Sequence, residues 1–406
     1  MKARVLRLAK LALVTGISLA SLLAVSGCWN SRELNKLAIV TAMAIDRVPD
    51  SNNYELAFQV VMPGALSHTG TGGNDSPFSI YGIRAPTMFE GIRKASKQVP
   101  RQLFFSHVQV VVLGERLAKE GIEEVFDFFE RSHEVRLTSM LLVARGTPPD
   151  KLISTYVPLE RLQASALLGE GTLSAKVWSE TAVIEIDEVI RRLINTGAEP
   201  IISGLKLIGN DKTATQKKST EQSQLPYHLE ISDIAMFREG KLADWLENES
   251  ARGLMFVGNH IGSTIMNLEC GGKPDGVALE ILKSRTSNKV YMKDGQLKVD
   301  VVVSAESNVG EVKCGIAIEK LDTLQQLERE WSDAVKSEIH RAVKQAQAIK
   351  ADVFGFGMSL QRHHPKQWNA VKDDWGSVFA KAEVNVTFRG IIRRTGMRGK
   401  SLLEKS

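Results

Sequence analysis

Leu37-Ala38-Ile39-Val40-Thr41-Ala42-Met43-Ala44-Ile45 carries no charge and reads as a buried strand. Residues 54–61 are its expected partner, with Pro49 and Asp50-Ser51-Asn52-Asn53 supplying the turn between them. The next part, 66–78, is rich in Gly, Ser, Thr and Asn and reads as a loop. Pro86 then opens a helix with Met88, Phe89, Ile92 and Ala95 on one face, and Pro100 closes it. A strand over 103–113, with His107 inside it, a helix from Glu115 to about Arg131 and a strand over 137–144 follow. Pro148-Pro149 starts a further helix. Strands and helices in this order, with two strand-to-helix crossovers, imply an α/β or α+β first domain.

Toward the C-terminus the pattern changes. Residues 160–195 read as helical. Strands are expected over 200–208, 227–237 and 241–246, the last two joined as a hairpin by Arg238-Glu239-Gly240. The polar tract 211–224 reads as a solvated loop. Further strands are expected over 261–268, 276–285 and 297–304. Leu324, Leu327, Trp331, Val335, Ile339, Ala342, Ala346 and Ile349 then recur at three- and four-residue steps. They form one stripe of a long amphipathic helix, 323–350, with Asp322 and Gln325 at capping-box spacing. Such a helix packs on its own sheet or forms a coiled coil with a partner. A closing strand, 382–392, and a basic tail complete the chain. The resulting fold class is α+β / α/β and multidomain, with mixed sheets and packed helices. Its expected divisions are a signal segment 1–27, an N-terminal α/β domain 28–195, a β-rich middle domain 196–288 and a C-terminal α+β domain 289–406.

Toward the N-terminus, Lys2, Arg4, Arg7 and Lys10 precede an uncharged run from Leu11 to Val25 and the string Val25-Ser26-Gly27-Cys28. A basic region, a short apolar region and small residues at the exit make a secretory signal. An aliphatic residue and two small residues before Cys read as a bacterial lipobox, where the Cys28 thiol receives a diacylglyceryl group and the chain is cut before it. The apolar run falls short of the ~20 residues that span a bilayer. Two acyl chains, by contrast, hold a protein on a membrane. Of the net charge of +5, residues 1–27 supply four cations and no acid. The rest is close to neutral, which removes the charge argument for nucleic acid. Cys270 and Cys314 remain, either as one disulfide or as two separate thiols.

Motifs for chemistry are weak throughout. Phe354-Gly355-Phe356-Gly357 lacks the third glycine of a dinucleotide site and follows a helix instead of preceding one. It reads as a tight turn packed by two phenylalanines. His363-His364 are adjacent, so their side chains diverge, and His133-Glu134 lacks a second histidine at metal-site spacing. Ser203-Gly204-Leu205-Lys206 matches Ser-x-x-Lys without a companion motif. The acid pairs Glu123-Glu124 and Asp373-Asp374 read as solvated. The expectation is a protein that is not an enzyme and takes no metal or cofactor.

Cys28-Trp29-Asn30-Ser31-Arg32-Glu33-Leu34 with Leu37-Ala38-Ile39-Val40 resembles the start of the mature GerC-type spore germination lipoproteins, with Asn30 where the family commonly has Asp. The resemblance continues in Phe105-Ser106-His107-Val108, Gly114-Glu115-Arg116-Leu117-Ala118, and Ala235-Met236-Phe237. It returns in Trp245-Leu246, Arg252-Gly253, Ala351-Asp352-Val353-Phe354-Gly355-Phe356-Gly357, Pro365-Lys366-Gln367-Trp368 and Trp375-Gly376. Ser132 stands where the family more often has Asp. This resemblance implies a non-enzymatic lipoprotein subunit of a nutrient germinant receptor, on the outer face of the spore inner membrane. Two polytopic membrane subunits, A and B, are the implied partners, and direct nutrient binding is left open. It also implies several α/β or α+β domains in series. Trp29, Arg32 and Glu33, next to the lipid, either contact the bilayer interface or a nearby partner, or cap and pack the first domain. The rival readings are a lipoprotein capturing a small solute for a transporter, which needs two similar lobes facing a cleft, and a tethered hydrolase.

Overall fold

A computed structural model describes residues 2–24, 36–62, 76–132, 134–221 and 223–394. It begins with helix α1 (Lys2–Ala24), and among the described residues no helix is long and apolar enough to cross a membrane. Strand β1 (Leu37–Arg47) is buried on both sides over most of its length, as expected of a strand in the middle of a sheet. Its register against β2 (Tyr54–Val61) shifts between Val40 and Ala42. That bulge switches the face: Ala38 and Val40, then Met43 and Ile45, point into the larger core, whereas Ala42 and Ala44 point into the smaller one.

Strands β3 (Phe78–Ala85), β4 (Gln102–Phe104), β5 (Val110–Leu113), β6 (Met140–Ala144), β7 (Ile184–Glu185), β8 (Ile201–Gly209), β9 (Tyr227–Arg238) and β10 (Lys241–Leu246) complete a 10-stranded sheet. Its main order is β10-β9-β8-β6-β5-β1-β2-β3. The pairs β1–β5, β5–β6 and β6–β8 are parallel, and the hairpins at either edge are antiparallel. Helices α2 (Met88–Lys94), α3 (Glu115–Glu120), α4 (Glu123–Arg131), α5 (Pro149–Ser154), α6 (Gln163–Val177) and α7 (Ile186–Ile194) accompany it, and α8 (Asp211–Ala214) is a single turn. The small side chains Ala42, Ala44 and Ala57 let Leu152 and Ile153 of α5 and Ala164 and Leu167 of α6 pack closely in the smaller core.

Helix α9 (Asn248–Val257) leads to a 4-stranded sheet in the order β11 (Thr264–Cys270), β12 (Lys273–Lys293), β13 (Gln296–Val312) and β14 (Glu383–Arg394). Between β13 and β14 come α10 (Leu321–Ala348), α11 (Phe356–His363), α12 (Pro365–Val371) and α13 (Trp375–Ala380), which make β13–β14 a parallel pair. One continuous core runs from the first sheet through α9 to the second sheet and α10.

Several expectations are corrected. The boundaries at 195/196 and 288/289 do not follow the sheets: β8 to β10 belong to the first sheet, and β12 runs unbroken through residue 288. The expected strand over 103–113 is two strands, both parallel to β1, separated where β1 bulges; Gln109 N donates to Thr41 O at 2.9 Å. His107 therefore lies in the intervening turn. The helix from Glu115 is broken at Gly121, whose φ of 139° only glycine adopts readily. Strand β3 and helix α9 carry no assignment in the sequence reading, and the polar tract 211–224 contains short helical turns. Lys320 occupies the N-cap of α10 with no side-chain bond, so Asp322 lies inside the helix and caps nothing. Cys270 and Cys314 form a disulfide, closing one of two open alternatives. Most of the expected 66–78 loop and of the basic tail lies outside the described residues.

Candidate functional site

Cys28, Trp29, Arg32 and Glu33 lie outside the described residues, as does His133. Within them, chemistry-bearing side chains converge where the two sheets meet. Beyond α10 the chain turns at Lys350 and buries Asp352 completely. The Asp352 carboxylate accepts from the backbone N–H groups of Gly355 (2.9 Å), Phe356 (3.2 Å) and Gly357 (2.8 Å), and from Trp375 Nε1 (3.0 Å). Burial pushes its pKa up to about 6 against those four donors, which favour the charged form. The Gly-x-Gly string has two separate causes here. Gly355 sits at φ 75°, whereas a Cβ on Gly357 would lie 2.6 Å from Gly197 Cα and 2.8 Å from the Trp375 ring. Phe354 and Phe356 stack at 5.1 Å over this turn, as the bland sequence reading expects.

The facing segment runs from the end of α7 into β8 of the first sheet. Met358 N donates to Gly197 O at 3.0 Å, Glu199 N to Asp352 O at 2.9 Å, and Arg192 Nη1 to both Glu199 O and Val353 O. Beside this seam opens a cleft of about 330 Å³, lined by Glu123, Glu199, Glu239, Asp373 and Asp374 and by Arg192, Arg238, Lys350 and Lys372. Glu199 has its pKa raised to about 7, first by burial and then by the neighbouring charges of Glu239 and Asp352; the bond from Glu239 N opposes this. Such a cleft, with both signs of charge around a carboxyl that titrates near neutrality, can hold a small polar solute or join two bodies with a pH-dependent strength.

A second seam lies under α9. Arg252 Nε donates to Glu338 Oε2 at 2.9 Å and Nη1 to Glu180 Oε1 at 3.2 Å, while Nη2 completes a two-pronged pair with Glu338. Burial raises both carboxyls, and the shared guanidinium pulls each back down. Gly253 makes this possible: a Cβ there would meet Glu338 O at 2.3 Å, so only glycine lets α9 and α10 approach closely enough. A groove of about 600 Å³ between β11 and the first half of α10, beside the disulfide, presents Glu269, Glu330 and Asp333.

The remaining candidates are dispersed. Ser203 Oγ bonds the backbone of Ala182, and Lys206 pairs with Asp233, so the Ser-x-x-Lys match assembles nothing. His363 Nδ1 contacts Ser359 O, and His107 stands edge-on to Phe104. Glu124 is engaged by Arg47 and by the Tyr54 hydroxyl, whereas Glu123 and the pair Asp373-Asp374 reach the cleft. Sequence reading missed Asp352, Arg252 and Glu338 as a set, although Asp352 and Arg252 stand in strings that carry the family resemblance. A charge spaced within an apolar stripe, as Glu338 is, was the available signal.

Comparison with known proteins covers nearly all of the chain. Residues 30–207 match the profile of the spore germination protein N-terminal domain, and residues 232–396 that of the spore germination B3/GerAC-like C-terminal domain. Spore germination protein KC of Bacillus subtilis (strain 168) is 31% identical over 396 residues, 96% of this chain and 97% of the relative. Spore germination protein B3 of the same organism is 22% identical, over 93% of this chain and 96% of its own. The crystal structure of the GerBC protein superposes with a TM-score of 0.51 at 20% identity, over 86% of this chain and 96% of that one, and so shares its fold.

Proposed function

The chain belongs to the spore germination B3/GerAC-like family, and on that premise we propose that it is a lipid-anchored, non-enzymatic subunit of a nutrient-responsive germination receptor. Its place is the outer face of the membrane, beside polytopic partner subunits. The observation that carries this reading is Val25-Ser26-Gly27-Cys28 behind a basic and then apolar segment, at the head of a chain whose relatives are named as germination proteins. A two-chain lipid on Cys28 decides location by itself, since each buried methylene contributes about 0.8 kcal/mol. A scaffold role is supported by where the ionisable groups go: the Asp352 carboxylate fixes the turn whose backbone meets Glu199, and Arg252 ties Glu180 to Glu338 of α10. Trp29, Arg32 and Glu33 then lie at the height of the lipid headgroups or of a partner's rim. Changing Cys28 to Ala releases the protein into the soluble fraction and slows germination. A variant that stays in the membrane and germinates normally overturns the reading.

The cleft around Glu199 supports a second reading, capture of a small solute. Two lobes of similar build would favour it, and the sheets here have 10 and 4 strands. Calorimetric titration of the full chain with candidate nutrients decides: micromolar binding that is lost in Glu199→Gln makes solute capture the better description.

A further inference from the structure

Helix α6 is apolar on both of its sides. Its inner stripe, Ala164, Leu167 and Gly171, is buried against the first sheet, where a Cβ on Gly171 would stand 3.0 Å from Met140 Sδ. Its outer stripe carries Leu173 (60% exposed) and Val177 (48%) one turn apart, and Trp178 (46%) follows at the helix end. Leu159, in the loop leading into the helix, is 96% exposed. Lys176 is the one ion among the exposed residues of α6, and its single acid, Glu170, is part-buried. The other run of exposed apolar side chains, Leu8, Leu11, Val14 and Ile17, lies in α1, within the segment read above as a signal; Phe89 has the Arg93 guanidinium at 5.3 Å.

The position of this patch says what covers it. Tyr156, three residues before Leu159, stacks on Phe78 at 5.1 Å. Phe78 pairs with Val61, one residue beyond the pair Val60–Val40, so the loop lies near the end at which the chain enters β1. Gln163, the first residue of α6, contacts Gln59, which is paired with Ala42 of β1. From Cys28 to Leu37 an extended chain reaches at most ~30 Å. A lipid on Cys28 therefore keeps this end of the molecule at the bilayer. We propose that the outer face of α6, with Leu159 and Trp178, rests on the membrane surface, in the plane of the headgroups. This rests on the tether reading given above. Four exposed apolar side chains are few beside the roughly 20–30 residues a side, ~800 Å² per partner, of a stable protein interface. A tether removes most of the cost of association, so a patch of this size suffices for a surface already held within reach. Leucine and valine flanked by tryptophan and lysine are the chemistry of an interfacial helix.

The test uses the full chain, purified from membranes and reconstituted into vesicles of phosphatidylglycerol and phosphatidylethanolamine. Nitroxides are placed singly by Leu159→Cys, Leu173→Cys and, as a control on the second sheet, Ser304→Cys. The native cysteines do not compete, since Cys270 and Cys314 are joined and Cys28 is blocked by lipid. The ratio of collisions with oxygen to those with a water-soluble nickel complex is expected to be severalfold higher at 159 and 173 than at 304. Equal ratios at all three positions, in a chain whose mass shows the lipid on Cys28, overturn the inference and leave the tether standing. Spin–spin broadening at 173 that disappears on dilution with unlabelled chain assigns the face to a second copy and also overturns it. An unlipidated chain, revealed by a second label on Cys28, defeats the tether and this inference together.

Discussion

Gly357 and Gly197 touch backbone to backbone, and that contact sets how closely the two halves of the molecule approach. Gly357→Ala must displace Gly197 or the Trp375 ring, and is expected to cost about 1–3 kcal/mol in urea unfolding. Gly82→Ala, with open space around its Cβ, should stay within about 0.5 kcal/mol of the parent. Glu199 makes the same seam depend on pH. Its folded pKa of about 7 lies above the ordinary 4.5, so the native state holds more protons than the unfolded chain between those values. Its contribution is complete at low pH and is lost as pH rises through about 7. The urea midpoint of the parent should therefore fall more between about pH 5 and pH 8 than that of Glu199→Gln. Parallel slopes for the two proteins would refute this. None of these partners was legible in the sequence: Phe354-Gly355-Phe356-Gly357 announced a turn, but the glycine it meets is 160 residues earlier in the chain.

At the scale of elements, α10 is the part most fully read in advance, because a stripe with a 3.6-residue period needs no tertiary information. Trp331 fills the middle of that stripe, edge-on to Phe388 at 4.8 Å and against Gly390, where a Cβ would lie 2.5 Å from the indole ring. Glu338 is the exception, a carboxylate on the buried side, held there by Arg252 of α9. Removing Glu338 takes away the two-pronged pair and leaves the buried guanidinium with Glu180 at 3.2 Å, so Glu338→Ala should destabilise by about 3 kcal/mol in chemical denaturation. Arg252→Met combined with Glu338→Leu and Glu180→Gln should recover most of that loss, since the desolvation costs of all three charges then vanish together. Strand β1 was legible as buried but not its bulge. A one-residue shift reverses which side chains face which core, and only pairing with β2 and β5 decides where it falls.

At the scale of the whole molecule, the Cys270–Cys314 bridge closes a loop over β12 and β13 with a separation of 44 residues. Reduction, or Cys270→Ala with Cys314→Ala, is expected to lower unfolding free energy by about 2–4 kcal/mol, compared between oxidised and reduced protein. The helix content should persist, because a continuous core holds the second sheet to the first. The division of the chain into sheets was not foreseen: β8 to β10 read as a separate β-rich section, yet they extend the first sheet. What the sequence determined alone was whatever depends on neighbours along the chain. That comprises the period of α10, the hairpin at Arg238-Glu239-Gly240, and the family to which its strings belong. What only the tertiary structure decided was which distant residues share a surface. The meeting of Asp352 with Trp375, of Arg252 with Glu338 and Glu180, and the outward apolar face of α6 arise from packing between elements, and packing leaves no period in the sequence to be read.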